Sequence, residues 1–249
     1  MPRSGTTLLW SLLPFAYPIG NWKNPTRETQ ALAAMNPAQN TICKRPKDAL
    51  ELDRIFRRSR RYGVELSVLF CIRDPRSIVT SKHQNVPDDY FMGWKKSYFI
   101  PDADCIKPTQ TDPGLSKFVQ AWVLFSHKPK LLTIRYESLI SNPEFIQQKV
   151  SNLIGLQPHR KFSDWDSSQT VSHDHGAALN GIRGFLARDE LSTRDLEQIK
   201  SMSRFYGFRK AIRLLGYHPE RAGEILSNSK RRPKWSDRIK AKVMKTLKL

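Results

Sequence analysis

Three short apolar runs constrain this chain most: Thr41–Cys43, Leu66–Ile72 and Leu131–Ile134, each bounded by charged or turn residues. Runs of this length and makeup read as buried parallel strands. Between the first two lies ALELDRIFRRSRRYG, with Leu50, Ile55 and Phe56 on one side and five arginines elsewhere, a helix whose basic face is solvated. Strand, helix, strand in that order predicts an α/β fold with a parallel sheet, whose ligands bind beyond the carboxyl ends of the strands. Further helices are expected over Leu8–Phe15, Leu115–Ser126 and Asn142–Leu153. Another should begin at Ser192, whose spacing to Asp195 is that of a capping box.

With 249 residues, 39% of them hydrophobic, the chain can bury one substantial core, and it reads as a single domain over residues 1–228 followed by a basic tail, 229–249. The formal net charge is +19, and Lys230–Leu249 holds nine Lys or Arg against Asp237. The tail therefore contributes +8, which leaves 19 − 8 = 11 positive charges on the body. An excess of this sign calls for an acidic partner: nucleic acid, anionic lipid, a polyanionic glycan or a phosphorylated cofactor. Trp235, Ile239, Val243 and Leu247 form one apolar stripe on the tail, suited to docking on the domain or lying on an anionic membrane surface.

Cys43, Cys71 and Cys105 make an odd count without metal-ligand spacing, which argues for a reducing, cytoplasmic setting over a disulfide scaffold. His173 and His175 have no third ligand at useful spacing, so no metal is expected. From Gln84 to Gly114, four prolines sit among Tyr90, Phe91, Trp94, Tyr98 and Phe99. The segment reads as a long irregular lid that shapes an acceptor pocket.

Four islands at predicted strand ends share one chemistry: PRSGTT (2–7), CKRP (43–46), IRDPRSIVTS (72–81) and IRYESLISNPE (134–144). Together they bring Arg3, Lys44 and Arg73, with hydroxyls from Ser4, Thr6, Thr7 and Ser81, enough for two separate anionic groups. Gly5 followed at once by an apolar run puts backbone N–H groups at a helix N-terminus, where an anion binds. The island resembles the phosphate loop GxxxxGK[ST] but has Thr6 where the lysine would stand. No acidic strand end offers a magnesium ligand, which argues against an ATPase or GTPase.

In their order and spacing these islands resemble the sulfotransferase superfamily, in particular its bacterial and tyrosylprotein-sulfotransferase-like branch, over about the first 155 residues. The resemblance implies a three-layer α/β/α fold of the P-loop NTPase type and transfer of the sulfuryl group of 3′-phosphoadenosine 5′-phosphosulfate (PAPS) to a hydroxyl or amine of a glycan, peptide or small metabolite. It assigns Arg3, Ser4, Gly5, Thr6 and Thr7 to the phosphosulfate, with Lys44 facing the leaving group. Arg73 and Ser81 correspond to the pair that holds the 3′-phosphate. Tyr136 falls on the adenine side, and Arg183, with Gly176 and Asn180, in a segment folded over the cofactor. Cytosolic members carry a histidine base where this chain has Pro46. In the tyrosylprotein-like branch a glutamate serves, and Glu28 in NPTRETQ is the matching residue, with His83 as its rival. The family also has a buried strand feeding PRSGTT, so the reading frame is expected to extend upstream of Met1. Charge by itself permits another reading, a non-catalytic binder of nucleic acid or anionic membrane built on the same fold.

Overall fold

The computed structural model describes residues 1–19, 21–23, 40–81, 91–99, 110–165 and 191–220. Along the chain, α1 (Thr6–Ala16) is followed by β1 (Asn21–Lys23), β2 (Thr41–Cys43), a 3-10 turn (Pro46–Glu51), α2 (Leu52–Arg61), β3 (Val68–Ile72) and α3 (Pro75–Val79). Next come β4 (Phe91–Met92), β5 (Lys96–Phe99), β6 (Gln110–Pro113), α4 (Leu115–Phe125), β7 (Leu131–Arg135), α5 (Tyr136–Ser141) and α6 (Pro143–Ile154). After a 3-10 turn at Phe162–Asp164, α7 (Thr193–Ser203) and α8 (Tyr206–Leu214) complete the described elements. The protein is mixed α/β, rich in helix, with a small amount of parallel sheet.

Local chemistry sets most of the boundaries. Proline at the first helical position, where the missing N–H costs nothing, opens α3 and α6. Asp74 and Asn142 cap those two helices by accepting from Arg76 N and Phe145 N. Gly155, at φ 71°, ends α6 in the left-handed conformation. Ser192 and Asp195 form the expected capping box at α7. In α2 the buried residues are Leu52, Ile55 and Ser59, one stripe, and Arg58, Arg60 and Arg61 fill the last turn, where cations complement the helix dipole.

The fold divides into two compact units, each assembled from two stretches of chain. The first comprises Met1–Ile72 and Lys128–Ile182. In it β3 and β7 pair in parallel, Val68 opposite Leu131 through Ile72 opposite Arg135, and β1 pairs in parallel with β2. Its core is α1, buried on nearly every side, packed with Cys71 and Ile134 of the strands, Leu139, Ile146 and Val150 of α5 and α6, and Phe162 and Trp165 beyond them. A helix apolar all round belongs in such an interior. Tyr17 closes the same core, its hydroxyl 3.0 Å from the Gln147 carbonyl and its ring edge-on to Phe162.

The second unit comprises Arg73–His127 and Arg183–Leu249. Here β4, β5 and β6 form an antiparallel sheet where the prolines predicted an irregular lid. The outcome has a physical reason: Pro113 comes last in its strand, while aromatic residues favour pleated structure; residues 84–90 and 100–109 of the segment lie outside the described residues. Leu115, Ser116 and Gly114 donate backbone N–H groups to Gly93, Trp94 and Lys95, tying the start of α4 to the turn between β4 and β5. Trp94, 1% exposed, stacks edge-on against Phe208 of α8 at 5.8 Å.

Candidate functional site

The site is built at the start of α1. Gly5 caps the helix in the left-handed conformation (φ 82°) and, among the described residues, no side chain caps the first-turn amides and no acidic residue lies in that turn. Arg3 also has positive φ, 59°. Glycine is required at position 5 twice over: for its φ, and because a Cβ there would lie 2.4 Å from Cδ2 of Tyr136. The Tyr136 ring thus packs directly against the turn. Ser4, 1% exposed, places its Oγ 2.9 Å from the Cys71 carbonyl and 2.5 Å from that of Met1, while the Met1 nitrogen donates to Cys71 O at 2.7 Å. These bonds fasten the loop to the end of β3. The Ser4 hydroxyl is committed to them, which the sequence pattern did not reveal.

Lys44, on the residue after β2, reaches back to this turn. Its Nζ donates to Thr7 Oγ1 at 3.1 Å and lies 5.1 Å from the centroid of the Trp10 ring. Burial pulls its pKa down from the ordinary lysine value to about 8. Neighbouring Asp48 is engaged by Arg45 at 3.2 Å. A half-buried ammonium, bonded to a neutral hydroxyl beside a helix N-terminus, makes a strong demand for an anion.

A cleft of about 240 Å³ adjoins the pair, lined by Thr6, Lys44, Leu9 and Trp10 and by residues of β2 and β3. Ligand pockets usually hold several hundred cubic ångströms, so this cleft takes an end group and not a whole nucleotide. Among the described residues, Thr41 Oγ1 on its wall is buried without a hydrogen-bond partner. No group of three or more His, Cys, Asp or Glu residues that could hold a metal ion occurs among the described residues.

The structure therefore brings Ser4, Gly5, Thr6, Thr7, Lys44 and Tyr136 together in the first unit, with Arg3 in the same turn. Arg73 and Ser81 belong to the second unit, on either side of α3, and the Ser81 N–H donates to Ile78 O at 3.3 Å. Glu28, His83, Gly176, Asn180, Arg183 and the basic tail lie outside the described residues.

Within the same island, sequence reasoning gave no role to Asp74 and Arg76. They form a buried pair, 0% and 7% exposed at the side chains, with Arg76 Nη2 2.8 Å from Asp74 Oδ2. Arg76 also donates to the carbonyls of His218 and Pro219 at 2.7 and 2.9 Å, so it fastens α3 to the segment beyond α8. The signal was legible in Asp-Pro-Arg: an aspartate ahead of a helix-opening proline is a cap, and its second oxygen needs a partner. No family model, curated protein or solved structure matches this chain.

Proposed function

We propose that the chain is a PAPS-dependent sulfotransferase whose turn at residues 3–7, with Lys44, receives the phosphosulfate end of the donor, on a three-layer fold of the P-loop NTPase type. The observation that carries the reading is the Lys44–Thr7 bond at the start of α1, since it places a desolvated cation beside the amides of a first turn that contains no acidic residue. The acceptor oxygen or nitrogen attacks sulfur in line, and the bond from sulfur to the bridging oxygen breaks. Adenosine 3′,5′-bisphosphate leaves with the bond's electron pair, and the acceptor proton passes to the Glu28 carboxylate. Negative charge grows on the departing phosphate, where a fixed ammonium and helix amides stabilise it without reorganising. Arg73 and Ser81 take the 3′-phosphate on this reading, Tyr136 the adenine side, and Arg183 belongs to the segment folded over the cofactor; an acidic glycan is an acceptor that suits the body's surplus positive charge.

The test is thermal unfolding with adenosine 3′,5′-bisphosphate against ATP. Stabilisation by the bisphosphate that Arg73→Ala and Lys44→Ala both diminish is expected, because a ligand that binds only the native state raises its melting temperature. Transfer of labelled sulfate from PAPS to an acceptor panel then reads the activity. Indifference to the bisphosphate, with steeply salt-dependent binding to any polyanion, would favour the non-catalytic binder instead.

A further inference from the structure

A larger cavity, about 1010 Å³, lies within the second unit between α7 and α8, and its two walls differ in chemistry. Leu196, Ile199 and Ser203, at helical spacing on α7, make one wall with Leu191 ahead of them. The other is α8, which contributes Arg209, Lys210 and Arg213 together with Tyr206, Ile212 and Leu214. Leu196 is 45% exposed and Tyr206 58%, so two large apolar side chains stand at the lips. The sequence of α8, YGFRKAIRL, contains no acid, and Arg209 and Arg213 stand one turn apart, an arrangement that opposes the helix. Among the described residues neither they nor Lys210 form an ion pair with a carboxylate. The remaining lining cation, Arg76, is already matched by Asp74, and Glu220 is the lone acid of the lining.

A trough whose α7 wall is apolar and whose α8 wall carries three cations complements a ligand that is apolar along one stripe and acidic along the next. Concavity disfavours a flat bilayer. Two turns of a helix about 10 Å wide displace roughly 850 Å³, close to the space present. The chain's own residues 230–249 carry +8, the same sign as the α8 wall, so charge opposes them as the occupant. We propose that the α7–α8 groove docks an acidic amphipathic helix of a partner protein, with its apolar stripe on Leu196 and Ile199 and its carboxylates on Arg209, Lys210 and Arg213. This site is independent of the sulfotransferase reading and stands if that reading fails.

The probe is a fluorescein-labelled peptide of Glu and Leu, about sixteen residues long so that a helix can form, with leucines along one stripe. Its binding to the full chain is followed by anisotropy. Saturable binding is expected, weakened about ten-fold or more by Arg209→Glu with Arg213→Glu and by Leu196→Asp, because one change reverses the charge match and the other spoils the apolar wall. These side chains are exposed or at the lips, and a parallel melting curve confirms that each variant folds. A peptide with Lys for Glu should not bind. The proposal is overturned if a scrambled peptide of the same composition binds equally, or if both variants bind like the parent. It also falls if phosphatidylglycerol vesicles displace the peptide, which assigns the groove to lipid, or if binding emerges only after residues 221–249 are removed, which assigns it to the tail.

Discussion

Lys44 offers the sharpest test of the anion site, because its proton should leave and return with the ligand. Desolvation brings its pKa to about 8, whereas an unfolded lysine titrates near 10.5. A dianionic phosphate placed against the ammonium favours the charged form and restores the ordinary value. If restoration is complete, linkage makes the affinity for adenosine 3′,5′-bisphosphate about 25-fold weaker at pH ~9.5 than at pH ~7. Binding at pH ~9 should take up about 0.9 proton, measurable by titration calorimetry in two buffers of different ionisation enthalpy. Two ionisations beside the turn lie outside this window: burial holds the Met1 ammonium down at about 6 and pushes the Cys71 thiol of β3 up to about 11. The second ionisation of a phosphate lies near pH ~6, so the ligand is fully charged throughout. Lys44→Arg should flatten the profile, and Lys44→Met should bind weakly at every pH. Flat affinity in the parent between pH ~7 and ~9.5, with no proton uptake, would refute the placement of the anion on Lys44.

The same shift predicts a stability profile without ligand: the lowered folded pKa means the charged lysine opposes folding at neutral pH, and stability should rise from about pH 8 to about pH 10.5 as the proton is lost. The full shift corresponds to ~3 kcal/mol, which solvent around the partly exposed ammonium reduces to ~1–2 kcal/mol, and Lys44→Met should abolish that component in urea titrations. Gly5→Ala should cost ~1–2 kcal/mol from its left-handed backbone alone and weaken bisphosphate binding, and Tyr136→Ala, by removing the ring that the new Cβ would strike, should recover part of the stability. Arg76→Met takes the guanidinium away from the buried Asp74 carboxylate and should cost ~3–5 kcal/mol, whereas changing both members to apolar residues should cost much less; denaturant melts distinguish the two. Gly207→Ala should destabilise the second unit by ~1–3 kcal/mol, because its Cβ would lie 2.8 Å from Cζ2 of the buried Trp94, and tryptophan fluorescence should report the disturbance.

Sequence by itself determined the elements whose cause is local. The apolar runs at β2, β3 and β7, the helix opened by Asn142-Pro143, and the Ser192–Asp195 capping box all depend on neighbours within a few residues. So did the approach of PRSGTT to the first turn of α1. Tertiary structure decided what depends on residues far apart in the chain. Tyr136 leaves no room for a side chain at position 5, and Lys44 reaches Thr7 rather than a carboxylate. The Ser4 hydroxyl is consumed by Cys71, and Arg76 is buried against His218 and Pro219. Strand pairing in the proline-rich segment escaped the sequence for another reason: its partners are neighbours in the chain, Phe91 opposite Tyr98 and Phe99 opposite Gln110, but prolines interrupt the alternation that would mark the strands. Propensity and capping act within one or two turns and can be read in a string of letters. Desolvation, charge compensation and steric exclusion depend on which distant atoms arrive, and only the folded chain fixes those.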